Sequence, residues 1–176
     1  GVTDAPFRAL CRAQGAALTC TEMVSAKALV YHDEKTKQLL WSPPDEHPAA
    51  VQIFGHEPEV MAEAAPMALA YSGADILDIN MGCPVPKVTR RGGGSALPWK
   101  TDLFREIIQR VVKVCDAANV PVTAKIRVGI DHEHETFLEA GHIAQEEGCK
   151  AVTLHARTTA EYYGGHSDWS RIGELV

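Results

Sequence analysis

The sequence lacks the features that define several large classes of protein. No apolar run is long enough to cross a bilayer and no signal peptide is recognisable, so we expect neither a membrane anchor nor export. The five cysteines are an odd number and include no C-x-x-C pair: Cys11, Cys20, Cys83, Cys115 and Cys149. This spacing argues against a zinc ribbon or a disulfide framework and favours reduced thiols in the cytoplasm.

An excess of positive charge is also lacking. The formal net charge is −6, whereas a nucleic-acid-binding protein normally carries a basic surface. Charge is nevertheless uneven along the chain, because Lys87, Arg90, Arg91 and Lys100 follow one another with no acidic residue among them. We interpret this basic segment as a solvated loop.

Several catalytic and binding motifs are missing. The sequence contains neither the G-x-x-x-x-G-K-[ST] of a phosphate-binding loop nor the G-x-S-x-G of many serine hydrolases. Residues 131–135 (DHEHE) lack the i, i+4 histidine pair of a zinc site and predict an acidic helix start, so we expect no metal. The triple glycine at 92–94 lacks the last glycine of a dinucleotide fingerprint and predicts a flexible or close-packed loop.

The sequence does contain alternating strand and helix patterns. Strands are predicted over residues 17–23, 49–54, 75–79, 121–128 and 150–154, and helices over 4–14, 36–41, 103–115, 136–147 and 169–176. A further helix starts at Pro58, and Pro66 should kink it or end it early. Such alternation is typical of parallel strands joined by crossover helices.

Polar residues follow the apolar part of each predicted strand. They are Glu22, Gln52, Asn80, Lys125, Arg127 and His155. Polar groups at one common end of several strands favour a (β/α)₈ TIM barrel over an open α/β sheet. Because a complete barrel needs about 250 residues, the sequence predicts an incomplete one.

The stretch DILDINMGCPVPK at residues 75–87 contains the most suggestive loop. A short strand ends there in a Gly- and Pro-containing turn that carries Asn80 and Cys83. Chemistry in α/β folds is placed just beyond the carboxyl ends of strands. A lone cysteine is more often an inert core residue, so both interpretations of Cys83 stay open at this point.

Three other polar residues lie in or at the end of different strands. Gln52 is either a structural bridge or a ligand contact, because a buried amide needs hydrogen-bond partners. Lys125 is costly inside an apolar strand unless it meets an anionic or electron-rich ligand, or an acid such as Glu22 or Asp78. His155 is the third candidate.

Several segments together resemble one enzyme family. The sequence resembles the tRNA-dihydrouridine synthases, and within them the bacterial B-type branch, over essentially its whole length. The stretches that carry the resemblance are GVTDAPFR (1–8), TEM (21–23), QIFG (52–55), DINMGCPVPKV (78–88), GGGSAL (92–97), AKIRVG (124–129) and TLHART (153–158). The order NMGCP, K-I-R, L-H-x-R is highly specific.

The resemblance implies an FMN-dependent TIM-barrel reductase that acts on tRNA. In this family NADPH reduces the flavin, hydride passes to C6 of a uridine, and a cysteine protonates C5. By matching position, Cys83 would be the proton donor. Gln52, Lys125 and His155 would hold the isoalloxazine ring, and Asn80 and Arg127 would lie near the uracil. The full-length protein is expected to be a monomer.

The resemblance also implies what this sequence omits. We expect residues 1–176 to be a partial FMN-binding catalytic domain containing about strands 2–6. The first strand, the last two strands and a C-terminal helical domain would lie outside it. Two alternatives remain: another FMN barrel acting on free pyrimidines, like dihydroorotate dehydrogenase, and a non-catalytic RNA-binding factor. NMGCP followed by K-I-R argues against the first, and Cys83, Lys125 and His155 together argue against the second.

Overall fold

The computed structural model describes residues 2–176, so Gly1 of the GVTDAPFR stretch lies outside the described residues. Strands and helices alternate along the chain. The strands are β1 (Thr19–Cys20), β2 (Val24–Ser25), β3 (Ala49–Phe54), β4 (Ile76–Met81), β5 (Val122–Arg127) and β6 (Ala151–His155). The helices are α1 (Ala5–Ala13), α2 (Ala26–Val30), α3 (Glu34–Leu40), α4 (Pro58–Ser72), α5 (Pro86–Thr89), α6 (Thr101–Asp116), α7 (Phe137–Glu146) and α8 (Ser170–Leu175).

All strands belong to one parallel sheet. Its order is β1-β3-β4-β5-β6, and β2 also pairs with β3. Strands that are consecutive and parallel in this way require crossover connections, and the helices supply them. The predicted α/β class is confirmed, and the sheet corresponds to about half of a TIM barrel.

The main apolar core lies between this sheet and the helices α2, α4, α6 and α7. Strand residues such as Leu77, Ile79 and Ile126 point into it and are fully buried. Helix α6 contributes the stripe predicted from its periodicity, including Phe104 and Ile107. Burying each such side chain stabilises the fold by about 1.5–3 kcal/mol, so the sheet is held rigidly from its helical side.

The single strand predicted over residues 17–23 is wrong in its bounds. The structure contains two short strands instead, with Cys20 opposite Ala50 and Val24 opposite Ile53. Four steps along the first segment (24 − 20) therefore face three steps along β3 (53 − 50). One extra residue of this kind is a bulge, which interrupts the ladder and re-aims side chains.

Of the two effects predicted for Pro66, a kink in α4 or an early end, the early end is also wrong. The helix continues to Ser72, where Gly73 adopts the left-handed conformation (φ 67°) that terminates it. Pro66 is exposed, whereas Ala64, Ala65 and Ala68 are fully buried. Packing of the alanine face therefore outweighs the loss of one backbone hydrogen bond at the proline.

Residues 131–135 form a turn and not the predicted helix start. The Asp131 carboxylate accepts hydrogen bonds from the backbone of Glu133 and His134 and from the His134 ring. Helix α7 begins only at Phe137. Within residues 2–176, no group of three or more His, Cys, Asp or Glu side chains is arranged to hold a metal ion. No helix in that range is long and apolar enough to span a bilayer.

Candidate active site

Strand alternation and register bring the predicted polar residues onto one face of the sheet. Gln52 pairs with Asp78, Asn80 with Lys125, and Arg127 with His155. Their neighbours along each strand face the helices, because successive side chains in a strand point to opposite sides. These polar side chains therefore lie on the concave face, away from the apolar core.

A cavity of about 600 Å³ lies on this concave face. Gln52, Asp78 and Lys125 line it, together with Cys20 and with Arg8 from α1. Asn80, Cys83, Arg127 and His155 do not line this cavity, since they lie nearer the carboxyl ends of the strands. The predicted residues thus form a continuous polar face, of which the cavity covers one part.

Cys83 lies in the loop that follows β4, with 7% of its surface exposed. It is not part of the apolar cluster between sheet and helices. Its amide donates to Asn80 Oδ1 (3.0 Å), and its carbonyl accepts from the Ser95 amide (3.0 Å). Gly94 has φ +57°, and a side chain there would clash with the Cys83 carbonyl. The close-packed interpretation of the glycine triplet is the correct one.

A chain of hydrogen bonds joins this loop to a buried carboxylate. Asn80 Oδ1 accepts from the Gly82 and Cys83 amides, and Asn80 Nδ2 donates to Gln52 Oε1 (2.9 Å). Gln52 Nε2 in turn donates to Asp78 Oδ2 (2.6 Å). Sequence reasoning considered Asp78 only as a partner for Lys125, because its position opposite Gln52 depends on strand register.

The direction of this chain is fixed at both ends. Backbone N–H groups can only donate, so Asn80 must present its oxygen to them, and Gln52 must then present its oxygen to Asn80. The Gln52 amide nitrogen is left to face Asp78, which also accepts from Thr123 Oγ1 (2.5 Å). Burial raises the pKa of Asp78, although the hydrogen bonds from Thr123 and Gln52 oppose this effect.

Lys125 makes no ion pair with any residue in the described range 2–176, so the alternative of a direct pair with Asp78 does not hold. Its side chain lines the concave cavity. Burial and the charge of Arg127 lower the pKa of Lys125, while Asp78, Cys20 and Cys83 act in the opposite direction. A partly buried cation such as Lys125 without a direct counter-ion is costly unless a ligand meets it.

His155 is the last residue of β6, and its ring contacts Arg157. Arg157 Nη1 lies 3.1 Å from His155 Nε2. Because a guanidinium can only donate, Nε2 must be the acceptor, and the ring carries its proton on Nδ1. Burial and the nearby charges of Arg127 and Lys125 lower the pKa of His155 to about 4. The ring is therefore neutral at physiological pH.

Arg127 is buried and tied into the backbone around the site. Its Nε donates to the Gly82 carbonyl (2.9 Å), and its Nη1 donates to the carbonyls of Thr158 and Tyr162. The guanidinium also lies 5.3 Å from the ring centroid of Tyr163. Arg127 thus joins the Cys83 loop to the segment after β6, and its predicted place near the substrate stays a prediction.

Sequence reasoning missed a buried ion pair below the site. Arg8 donates two parallel hydrogen bonds to the Glu46 carboxylate (2.6 and 3.0 Å), and each residue is at most 3% exposed. Arg8 also donates to the carbonyls of Thr3 and Trp41, and Thr19 donates to Glu46. The pair holds α1 against β1. It was missed because no local sequence pattern indicates a partner 38 residues away.

Comparisons of the sequence with known proteins all indicate one family. A sequence model of the family described as dihydrouridine synthase (Dus) matches residues 1–176. A probable tRNA-dihydrouridine synthase of Mycobacterium tuberculosis is 44% identical over 182 residues, covering 99% of this chain and 47% of the relative. The tRNA-dihydrouridine synthase B of Pasteurella multocida is 44% identical, covering 98% and 51%. A probable tRNA-dihydrouridine synthase of Treponema pallidum is 39% identical, covering 100% and 52%.

The chain spans about half the length of the curated relatives it matches. The matched region includes the parallel sheet, the Cys83 loop and the polar residues of its concave face. Because the family's sequence pattern extends over every described element, the chain belongs to the dihydrouridine synthase family.

Proposed function

We propose that the full-length protein reduces uridine in tRNA to 5,6-dihydrouridine, with FMN as cofactor and NADPH as electron donor. The observation that carries this proposal is the family match over the whole chain together with Lys125 and His155 on one face of the sheet and Cys83 in the loop that follows β4. When bound, FMN would supply the hydride for C6 of the uracil. The chain's own residues would supply binding, orientation and a proton.

The concave face fits a flavin ring. Lys125 is partly buried, lines the 600 Å³ cavity and forms no ion pair within residues 2–176. Its ammonium would stabilise negative charge on the ring. The neutral His155 offers its Nδ1–H as a donor, because Nε2 is already taken by Arg157. Gln52 keeps one amide hydrogen free for a ligand after its bonds to Asp78 and Asn80.

Cys83 is suited to donate the proton to C5. Hydrogen bonds with Asn80 and Ser95 hold the Cys83 backbone, so the position from which the thiol side chain extends is fixed. Cys83 raises the pKa of both Lys125 and Arg127, which supports its proposed place near these two cations. A uridine of folded tRNA must leave its stack to reach such a position. Asn80 and Arg127 would then act near the uracil chiefly by shaping the Cys83 loop.

Residues 1–176 would form part of the FMN-binding catalytic domain. tRNA modification places the enzyme in the cytoplasm, and we expect the full-length protein to be a monomer. The remaining strands and a helical domain would complete the flavin and tRNA sites.

The replacement Cys83→Ala in the full-length enzyme tests the proposal. We expect flavin content and NADPH oxidation to be retained, while dihydrouridine formation falls by about 10²–10⁴-fold, the usual contribution of a positioned proton donor. Product is measured by mass spectrometry of tRNA nucleosides, and flavin by its absorbance after purification.

Cys149→Ala provides the matched control. This cysteine is partly buried at the opposite end of the sheet, directly before β6, and its replacement should leave product formation unchanged. Undiminished dihydrouridine in Cys83→Ala would remove the thiol from the mechanism. Absence of dihydrouridine formation by the unaltered enzyme on unmodified tRNA would reject the proposed reaction itself.

A further inference from the structure

A second cavity, of about 330 Å³, lies beside the Cys83 loop. It is formed by the carboxyl ends of β2 and β3, the start of α2, the loop before α4, and α5. Its lining includes Lys87 and Arg91 from the basic segment of the sequence. Its volume is at the lower end of the range of about 300–1,000 Å³ that is usual for small-ligand sites.

The charge of this cavity is predominantly positive. Glu57 is its single acidic lining residue, and its carboxylate already accepts a hydrogen bond from Lys27 (2.8 Å). Lys87 and Arg91 form no ion pair with any residue in the range 2–176. Two cations are thus uncompensated in a chain whose net charge is −6, which marks the cavity as a site for an anion.

The rest of the lining suits a nucleotide better than a free inorganic ion. Phe54, Val60 and Val88 supply apolar surface, and His56 is partly buried beside them. Unpaired RNA bases are commonly bound by apolar and aromatic surfaces, with Arg and Lys on the phosphates. The cavity combines both kinds of group within the space of one nucleotide.

Gly94 lies between this cavity and Cys83. A Cβ placed on Gly94 would lie 3.1 Å from Val88 Cγ1, in the cavity wall, and 3.2 Å from Cys83 Cβ. Both features open at the carboxyl end of the sheet. A base presented to the thiol and a nucleotide in this cavity would therefore be close neighbours.

We infer that this cavity binds a phosphate-bearing nucleotide, with the phosphate on Lys87 and Arg91. The occupant we assign is the nucleotide next to the target uridine in tRNA, an assignment that rests on the proposed function. NADPH carries the same chemistry, since it too presents nucleotide phosphates. The two sources are separated by measuring tRNA and NADPH independently.

The test is the double replacement Lys87→Gln/Arg91→Gln in the full-length flavin-loaded enzyme. We expect tRNA affinity to fall about 10-fold, and the slope of log Kd against log salt to fall by roughly one for each phosphate that the variant no longer binds. The KM for NADPH and the flavin content should not change. The matched control, Lys113→Gln/Lys150→Gln, removes two exposed cations from the opposite end of the sheet and should leave tRNA binding unaltered.

Three other outcomes would overturn the inference. A raised KM for NADPH with unchanged tRNA affinity would assign the cavity to the dinucleotide and reject the RNA occupant. Equal losses of tRNA affinity in both double variants would reduce the effect to general surface charge. Unchanged binding of both ligands would reject the site. If the unaltered enzyme made no dihydrouridine, the proposed reaction would fail, while tRNA binding by the variants would still decide the occupant of the cavity.

Discussion

At the scale of single residues, the most consequential side chain is one that has no assigned chemistry. Asp78 accepts hydrogen bonds from Gln52 and Thr123, and through Gln52 and Asn80 it is connected to the Cys83 amide. The amide side chain of Asn or Gln can turn either its oxygen or its nitrogen towards a neighbour, so its orientation depends on its hydrogen-bond partners. The Gly82 and Cys83 amides fix the orientation of Asn80, and the Asp78 carboxylate fixes the far end of the chain, because it accepts and, when ionised, cannot donate.

We predict different outcomes for two replacements of Asp78. Asp78→Asn can turn its nitrogen to the Thr123 hydroxyl and its oxygen to Gln52, so the chain survives and product formation stays within about tenfold. Asp78→Leu leaves the Gln52 nitrogen unsatisfied, which costs about 1–3 kcal/mol, and removes the partner that holds the Gln52 end of the chain. Dihydrouridine formation should then fall about 100-fold, a loss of that size in transition-state terms.

The rate of Cys83 alkylation by iodoacetamide distinguishes positioning from unfolding. In Asp78→Leu this rate should change while flavin content is retained, and in Asp78→Asn it should match the unaltered enzyme. Equal losses of activity in the two variants would mean that the charge of Asp78, and not its hydrogen bonds, is what matters.

The sequence allowed Gln52, Asn80 and Lys125 to be predicted separately as candidate site residues, since a Gln or a Lys inside an apolar strand is conspicuous. It could not predict which of them contact one another. Gln52 meets Asp78 across 26 residues, and Thr123 meets Asp78 across 45. Such contacts depend on strand register. A shift of one residue would turn the side chains to the opposite face and abolish the contacts.

At the scale of elements, the α-helices of six or more residues were predicted, whereas the shorter helices α2 and α5 were not. Helix α6 has 16 residues and repeats its apolar stripe several times, whereas α2 has five residues and α5 has four. A single turn offers too few positions for a periodic pattern to register. The bulge between β1 and β2 was not predicted either, because one inserted residue does not change the composition of the strand segment.

Helix α4 shows tertiary packing overriding a local rule, and it provides a prediction of stability. Pro66 interrupts one backbone hydrogen bond on an exposed side of the helix. Pro66→Ala should restore that bond and raise the free energy of unfolding by about 1–3 kcal/mol. Urea denaturation of the full-length protein should show a higher midpoint with an unchanged slope.

Pro58→Ala is the matched control for this prediction. Pro58 occupies the first turn of the same helix, where no intrahelical donor is needed, so its replacement should change stability by less than about 0.5 kcal/mol. A gain at Pro58 equal to that at Pro66 would show that the higher helix propensity of alanine, and not the hydrogen bond restored at position 66, determines the effect.

At the scale of the whole molecule, the polar face and the apolar core are held by different interactions. The core between sheet and helices is almost entirely aliphatic. On the other side of the sheet, α1 and the segment before β3 are fastened by the buried Arg8–Glu46 pair. This arrangement leaves the concave face polar and open to a ligand while its border stays fixed.

The Arg8–Glu46 pair makes stability depend on pH in a direction that can be stated. Burial opposes ionisation of Glu46, but hydrogen bonds from Arg8 and Thr19 outweigh it and lower the pKa of Glu46 below its ordinary 4.5. The folded state therefore binds this proton less readily than the unfolded state does. The pair's contribution is fully present above pH 4.5 and is lost as pH falls through the lower, folded-state pKa.

We predict that Glu46→Gln destabilises the full-length protein by about 3–5 kcal/mol at neutral pH, because it leaves the buried Arg8 uncompensated. The gap to the unaltered protein should narrow as pH falls below 4.5, where Glu46 itself becomes protonated. Urea midpoints measured from pH 7 to pH 3 give both curves. Glu34→Gln is the control, since Glu34 is exposed in its pair with Lys37 and should cost less than about 1 kcal/mol at any pH. A gap for Glu46→Gln that stays constant with pH would show that packing, and not the charge pair, fastens α1 to the sheet.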